Sequence, residues 1–195
     1  MKTRIIALAL MAALFALPVA APAQAAETYV IDTKGSHAFI QFRVQHLGYS
    51  WLYGRFNTFS GTFTADEANP GNSKIAIEID TASVDSNHAE RDKHLRSPDF
   101  LDVAKFPKAT FVSTAVKANG DGSGTVTGNL TLHGVTKSID IAVNQIGHGK
   151  DPWGGYRRGL QGSVTFAMKD FGITKNLGPA SANVEMILSI EGIRQ

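Results

Sequence analysis

The sequence predicts an all-β domain of eight or so antiparallel strands, closed as a barrel or stacked as a sandwich, with one short helical insertion. Two observations carry this prediction. Apolar and polar residues alternate with period two in segment after segment, the pattern of strands with one buried and one solvated face. Turn sequences rich in Gly, Asn, Asp and Pro separate those segments, and all 19 glycines lie beyond residue 25, where they serve turns and bends.

Residues 1–25 read as a secretory signal peptide. Lys2 and Arg4 open it, residues 5–17 form an unbroken apolar run, Pro18 interrupts, and Ala23-Gln24-Ala25 offers a small-x-small cleavage pattern. At about 1.5 Å per residue that run is too short to span a bilayer. No later stretch is long and apolar enough for a membrane helix. The domain expected after cleavage, residues 26–195, keeps 17 of the 19 basic residues beside all 17 acidic ones. It is therefore neutral and has no global field with which to hold nucleic acid. There is no cysteine, so neither a disulfide nor a lipidated cysteine is available. The expected product is a soluble periplasmic domain held together by packing.

Its strands follow in order. Ala38, Ile40, Phe42 and Val44 alternate with Gln41, Arg43 and Gln45. Leu52, Gly54 and Phe56 share even parity, whereas Phe59, Gly61 and Phe63 are odd. A bend between Phe56 and Phe59 would turn both sets to one side. Ile75, Ile77 and Ile79 form the next face, and Phe111, Val112, Ala115 and Val116 show no clean alternation, which suggests a strand covered on both sides. Residues 87–106 lack the alternation and contain good helix formers, with Asn87 as candidate cap and Ser97-Pro98 as the start of a second short helix. Alternation then resumes through Val126, Leu130 and Leu132, through Ile139, Ile141 and Val143, through Leu160, Val164, Phe166 and Met168, and through Val184, Met186, Leu188 and Ile190. Neither a repeat nor a domain linker is evident.

Four tracts carry a family resemblance: residues 46–56 (HLGYSWLYGRF), 84–97 (VDSNHAERDKHLRS), 128–137 (GNLTLHGVTK) and 170–173 (DFGI). Together they resemble the YceI-like family of exported bacterial lipid-binding proteins, over essentially the whole chain after residue 25. His133 stands where the family more often has an amide such as Asn. The resemblance implies an eight-stranded antiparallel, lipocalin-like barrel whose apolar lumen holds a polyisoprenoid or similar long-chain amphiphile. An isoprenoid quinone is a suspected cargo, and a membrane cytochrome b a possible partner. It implies no cofactor.

The candidate ligand-binding residues are the large apolar side chains of the inward faces. They comprise Phe42, Val44, Phe56 and Phe63, then Ile77, Leu130 and Leu132, and finally Ile141, Val143, Phe166 and Met168. Pocket lining and plain core are equally good readings of these residues without the resemblance. His46 and Trp51, in the aromatic tract with Tyr49, Tyr53 and Arg55, are candidates for a pocket mouth. Trp153, Tyr156 and Arg157 form a second such tract, facing the same rim or the opposite one. The alternative is a metal-dependent enzyme using His88, Glu90, Asp92 and His94, since each pair four apart shares a helix face and could ligate zinc. Without a third ligand at metal-site spacing, the four residues better describe an exposed helix stitched by ion pairs, and a further reading has Arg91 or Arg96 holding the insertion against the barrel mouth. A plugged barrel that binds another protein by its surface is the third reading.

Overall fold

The computed structural model describes residues 26–195; the expected signal peptide lies outside the described residues. The strands are β1 (Glu27–Ile31), β2 (Phe39–His46), β3 (Ser50–Phe56), β4 (Phe59–Ala65), β5 (Lys74–Asp80) and β6 (Val84–Asp85). A helix, α1 (Ala89–Arg96), precedes β7 (Lys108–Ala118), β8 (Ser123–Leu132), β9 (Val135–Lys150), β10 (Tyr156–Ala167) and β11 (Asn183–Arg194).

These eleven segments make eight staves of a closed antiparallel barrel. β11 pairs with β2 along Glu185–Ser189 and then with β1 from Gly192 to Arg194, so β1 and β2 are one stave interrupted by a loop. In the same way β3 pairs with β2 and β4 with β1, and β4 and β3 pair in turn with β5 and β6. From β5 the ladder runs unbroken through β7, β8, β9, β10 and β11. The ring closes through the β1–β11 pairing, while β2, β3 and β6 extend from β11 as a branch whose last strand, β6, pairs with β3.

The parity change between Phe56 and Phe59 is the expected bend. At Asn57 and Thr58 the chain leaves one ladder for the next. Asn57 N–H donates to the Ser83 carbonyl (3.1 Å), Thr58 N–H to Ser83 Oγ (3.0 Å), and Asp80 N–H to the Thr58 carbonyl (3.0 Å). Adjacent staves thus break at one level, and both Phe56 and Phe63 are buried. A second parity change has a different cause from the one expected. The stretch around Phe111 is not covered on both sides, because Val112 is half exposed. A β-bulge leaves Thr114 unpaired between Ser113 and Ala115, so Phe111 and Val116 both point inward across it.

The helical insertion differs in detail from expectation. His88, not Asn87, caps α1: its Nδ1 accepts from Arg91 N–H at 3.2 Å. Asn87 has a φ of 60°, whereas a capping residue needs extended backbone. Residues 97–107 form turns rather than a second helix. Leu101 and Val103 N–H groups bond back to the Leu95 and Arg96 carbonyls, folding the segment against the end of α1. Arg96 ties the insertion to the barrel, donating from Nε to the Ala82 carbonyl (2.7 Å) and from Nη2 to the Val84 carbonyl (2.6 Å). His133 and Gly134 both have positive φ in the two-residue β8–β9 turn, the conformation that favours Asn at the first position.

Candidate functional site: a waisted apolar lumen

The inward faces of the eight staves enclose two cavities, of about 400 and 420 Å³, end to end along the barrel. Ile77, Phe111, Ile141 and Leu188 line both and form a waist between them. The first cavity lies toward the end that carries the β2–β3 and β8–β9 turns. There Leu95, Phe100 and Leu101 of the insertion close over it, with His46 and Leu47 at the rim. The second lies toward the end bearing the β4–β5, β7–β8 and β9–β10 turns. A wall of Ile, Leu, Val, Met and Phe follows directly from period-two strands whose apolar parity faces the axis.

Glycines keep this lumen open. A side chain at Gly54, Gly128 or Gly192 would collide with the ring of Phe42, Phe111 or Phe63 respectively. Each ring therefore lies over a backbone position of the sheet where no Cβ stands.

Of the residues singled out from sequence, Phe42, Val44, His46 and Phe56 line the first cavity, as do Leu130, Leu132, Phe166 and Met168. Phe63 and Val143 line the second, while Ile77 and Ile141 belong to both. Trp51 is misplaced by the sequence reading. It pairs with Gln45 on the outer face, half exposed, beneath the Arg43 guanidinium at 4.2 Å. Its odd parity sets it with Tyr49 and Tyr53, opposite Leu52, Gly54 and Phe56. The second aromatic tract, with Trp153, belongs to the β9–β10 turn and thus to the opposite end of the barrel. Sequence reasoning also passed over Leu95, Phe100 and Leu101, although they are among the few large apolar residues of a mostly polar insertion. It passed over Arg158 too, which shares the inward parity of Leu160, Val164 and Phe166.

The four residues of the enzyme alternative do not converge. His88 Nδ1 is spent on the helix cap. Asp92, expected to be exposed, is buried: its Oδ1 accepts from Ser86 N–H (2.8 Å) and Ser86 Oγ (2.5 Å). Arg91 completes that network, donating from Nε to Ser86 Oγ and from Nη2 to the Ser86 carbonyl. His94 Nε2 lies 2.8 Å from Asp99, and Glu90 is exposed. The tract is stitched for structure.

Among the described residues, one group of three has ligand atoms close enough for a metal: Asp32, His37 and Glu191. A cation already occupies it. Arg157 Nη1 donates to Asp32 (2.7 Å) and Glu191 (2.6 Å), and its Nε to Asp151 (2.8 Å). Hydrogen bonds from His37 and Arg157 lower the Asp32 pKa to about 2, and the three carboxylates raise that of Arg157. This network locks the β1–β2 loop and the β9–β10 turn to β11.

An eight-stave barrel with an apolar lumen running from end to end defines a lipocalin-like barrel. The comparisons place it more narrowly. The YceI-like domain matches residues 29–192, and the chain belongs to that family. It is 62% identical to a UPF0312 protein of Pseudomonas aeruginosa and 57% identical to one of Azotobacter vinelandii, each over the full length of both chains. Among solved structures, Burkholderia cenocepacia BcnA superposes with a TM-score of 0.73 at 20% identity, covering 83% of this chain and 98% of that one. The Campylobacter jejuni YCEI protein gives 0.70 at 26% identity, covering 78% and 90%. A polyisoprenoid binding domain from Saccharophagus degradans gives 0.63 at 19%, covering 86% and 98%.

Proposed function

We propose that the protein binds one long-chain amphiphile, an isoprenoid quinone or polyisoprenoid, with its tail enclosed along the lumen. The observation that carries this is the pair of apolar cavities in line through a shared waist. That shape suits a narrow chain better than a compact ligand. Each enclosed CH₂ contributes about 0.8 kcal/mol, so ten buried carbons supply roughly 8 kcal/mol against the cost of association. The polyisoprenoid binding domain of like fold supports the same ligand class. With the signal peptide of residues 1–25, the reading is a periplasmic carrier that shields a lipid from water, and a membrane cytochrome b is a suitable quinone-exchange partner.

The test is native mass spectrometry with lipid extraction on protein purified from its own periplasm. The expected result is one co-purifying isoprenoid lipid per barrel and an N-terminus at residue 26. Protein that carries no lipid and takes up no polyprenol or quinone on addition would refute the proposal.

A further inference from the structure

Resting on that reading, we propose that the second cavity seats the ligand's head and that Arg158 is its hydrogen-bond donor, selecting an uncharged, carbonyl-bearing head such as a quinone ring. Arg158 is only 5% exposed and lines this cavity from the inward face of β10. A guanidinium has five N–H donors. Here Nη1 donates to Gln145 Oε1 (2.8 Å), Nη2 to Glu67 Oε1, and Nε reaches Tyr29 Oη at 3.4 Å. That leaves one N–H on each of Nη1 and Nη2 of a side chain lining the cavity, and two such donors match a carbonyl oxygen. The donors of the first cavity are less buried: Arg91 is half-buried, with Nε and Nη2 donating to Ser86, and His46 and His94 are exposed to competing water.

Charge decides the class of head. Glu67, on the β4–β5 turn, already balances Arg158, so an anionic head would have to displace a carboxylate. A carbonyl adds no charge and leaves the ion pair intact. Asp66, Lys74, Lys117 and His148 complete the charged and titratable lining, with His148 Nδ1 3.8 Å from Glu67; the two lysines and His148 are exposed. From this seat the tail runs past the waist at Ile77, Phe111, Ile141 and Leu188 into the first cavity.

The test compares decyl-benzoquinone with decylbenzene, which has the same tail and no acceptor, on the full protein. Arg158→Met should weaken the quinone at least about tenfold and leave decylbenzene unchanged. Should that variant not fold, Glu67→Gln, altering a half-exposed side chain, frees the guanidinium and should raise affinity for decyl phosphate by at least about fivefold. Indole quenching locates the head independently. It should persist in Trp51→Phe and fall in Trp153→Phe, because the two indoles sit at opposite ends. Equal losses for both ligands in Arg158→Met, no gain in Glu67→Gln, or quenching carried by Trp51 would overturn this assignment while leaving lipid binding in place. Failure of the wild-type protein to bind either ligand would overturn both.

Discussion

Replacing Gly54 by alanine tests how the lumen is kept hollow. The added Cβ would stand 2.7 Å from Phe42 Cε1 and 2.9 Å from Cε2, with Cζ closer still, and no backbone atom is among its nearest neighbours. To regain ordinary contact the ring must retreat by about 1 Å, and the open direction is into the first cavity. A packed core would lose ~1–3 kcal/mol on such overpacking. Here free volume receives the ring, so the expected loss is about 1 kcal/mol, a fall in melting temperature of roughly 2–4 °C for a chain of this size. The larger effect falls on ligand. Displacing about two methylenes' worth of tail costs about 1.6 kcal/mol, roughly fifteenfold in affinity. Isothermal titration with a polyprenol and thermal unfolding of the ligand-free protein measure the two quantities. Gly54→Ala/Phe42→Leu should recover most of the affinity, because the smaller side chain vacates the same space. A large loss of stability with unchanged binding would show that Phe42 belongs to a filled core, and the reasoning would fail.

Three further outcomes follow from the same geometry. Ile141→Trp, at the waist, should abolish binding of a long polyprenol and retain a ten-carbon chain that fits within one cavity; equal loss of both would place the ligand elsewhere. Because the Asp32 pKa is lowered to about 2, its stabilisation is complete above the ordinary carboxylate range near 4 and is lost as pH falls toward 2. Asp32→Asn should therefore cost about 2 kcal/mol at neutral pH and flatten the acid limb of a stability–pH curve, and an unaltered limb would remove the Arg157 network from the account. His88→Gln/His94→Gln should leave bound lipid and metal content unchanged, whereas Asp92→Ala should lower stability by ~1–3 kcal/mol through the stranded Ser86 donors; stoichiometric zinc lost in the double variant would restore the enzyme reading.

The inward set was legible because side-chain direction in a strand is a local property with period two. Ile75, Ile77 and Ile79, or Val184, Met186, Leu188 and Ile190, declare their common face without reference to any partner strand. The same rule, applied strictly, puts Trp51 outside and Arg158 inside; the errors at both came from reading residue type ahead of parity. The bend after Phe56 was visible as a change of parity, and a non-alternating polar stretch marked the insertion.

What the tertiary structure alone decided depends on register between residues far apart in the chain. The joining of β1 to β2 and of β3 to β4 as single staves is fixed by where β11, β5 and β6 pair with them, and so closure is not written in any one segment. Glu67 meets Arg158 across 91 residues of chain, and the two aromatic tracts proved to lie at opposite ends. Asp92, one of two carboxylates on a short helix, turned inward because Ser86 offered it two donors. Alternation says which way a side chain points; the width of the ring, its waist and the partners waiting inside arise only when eight staves close around one axis.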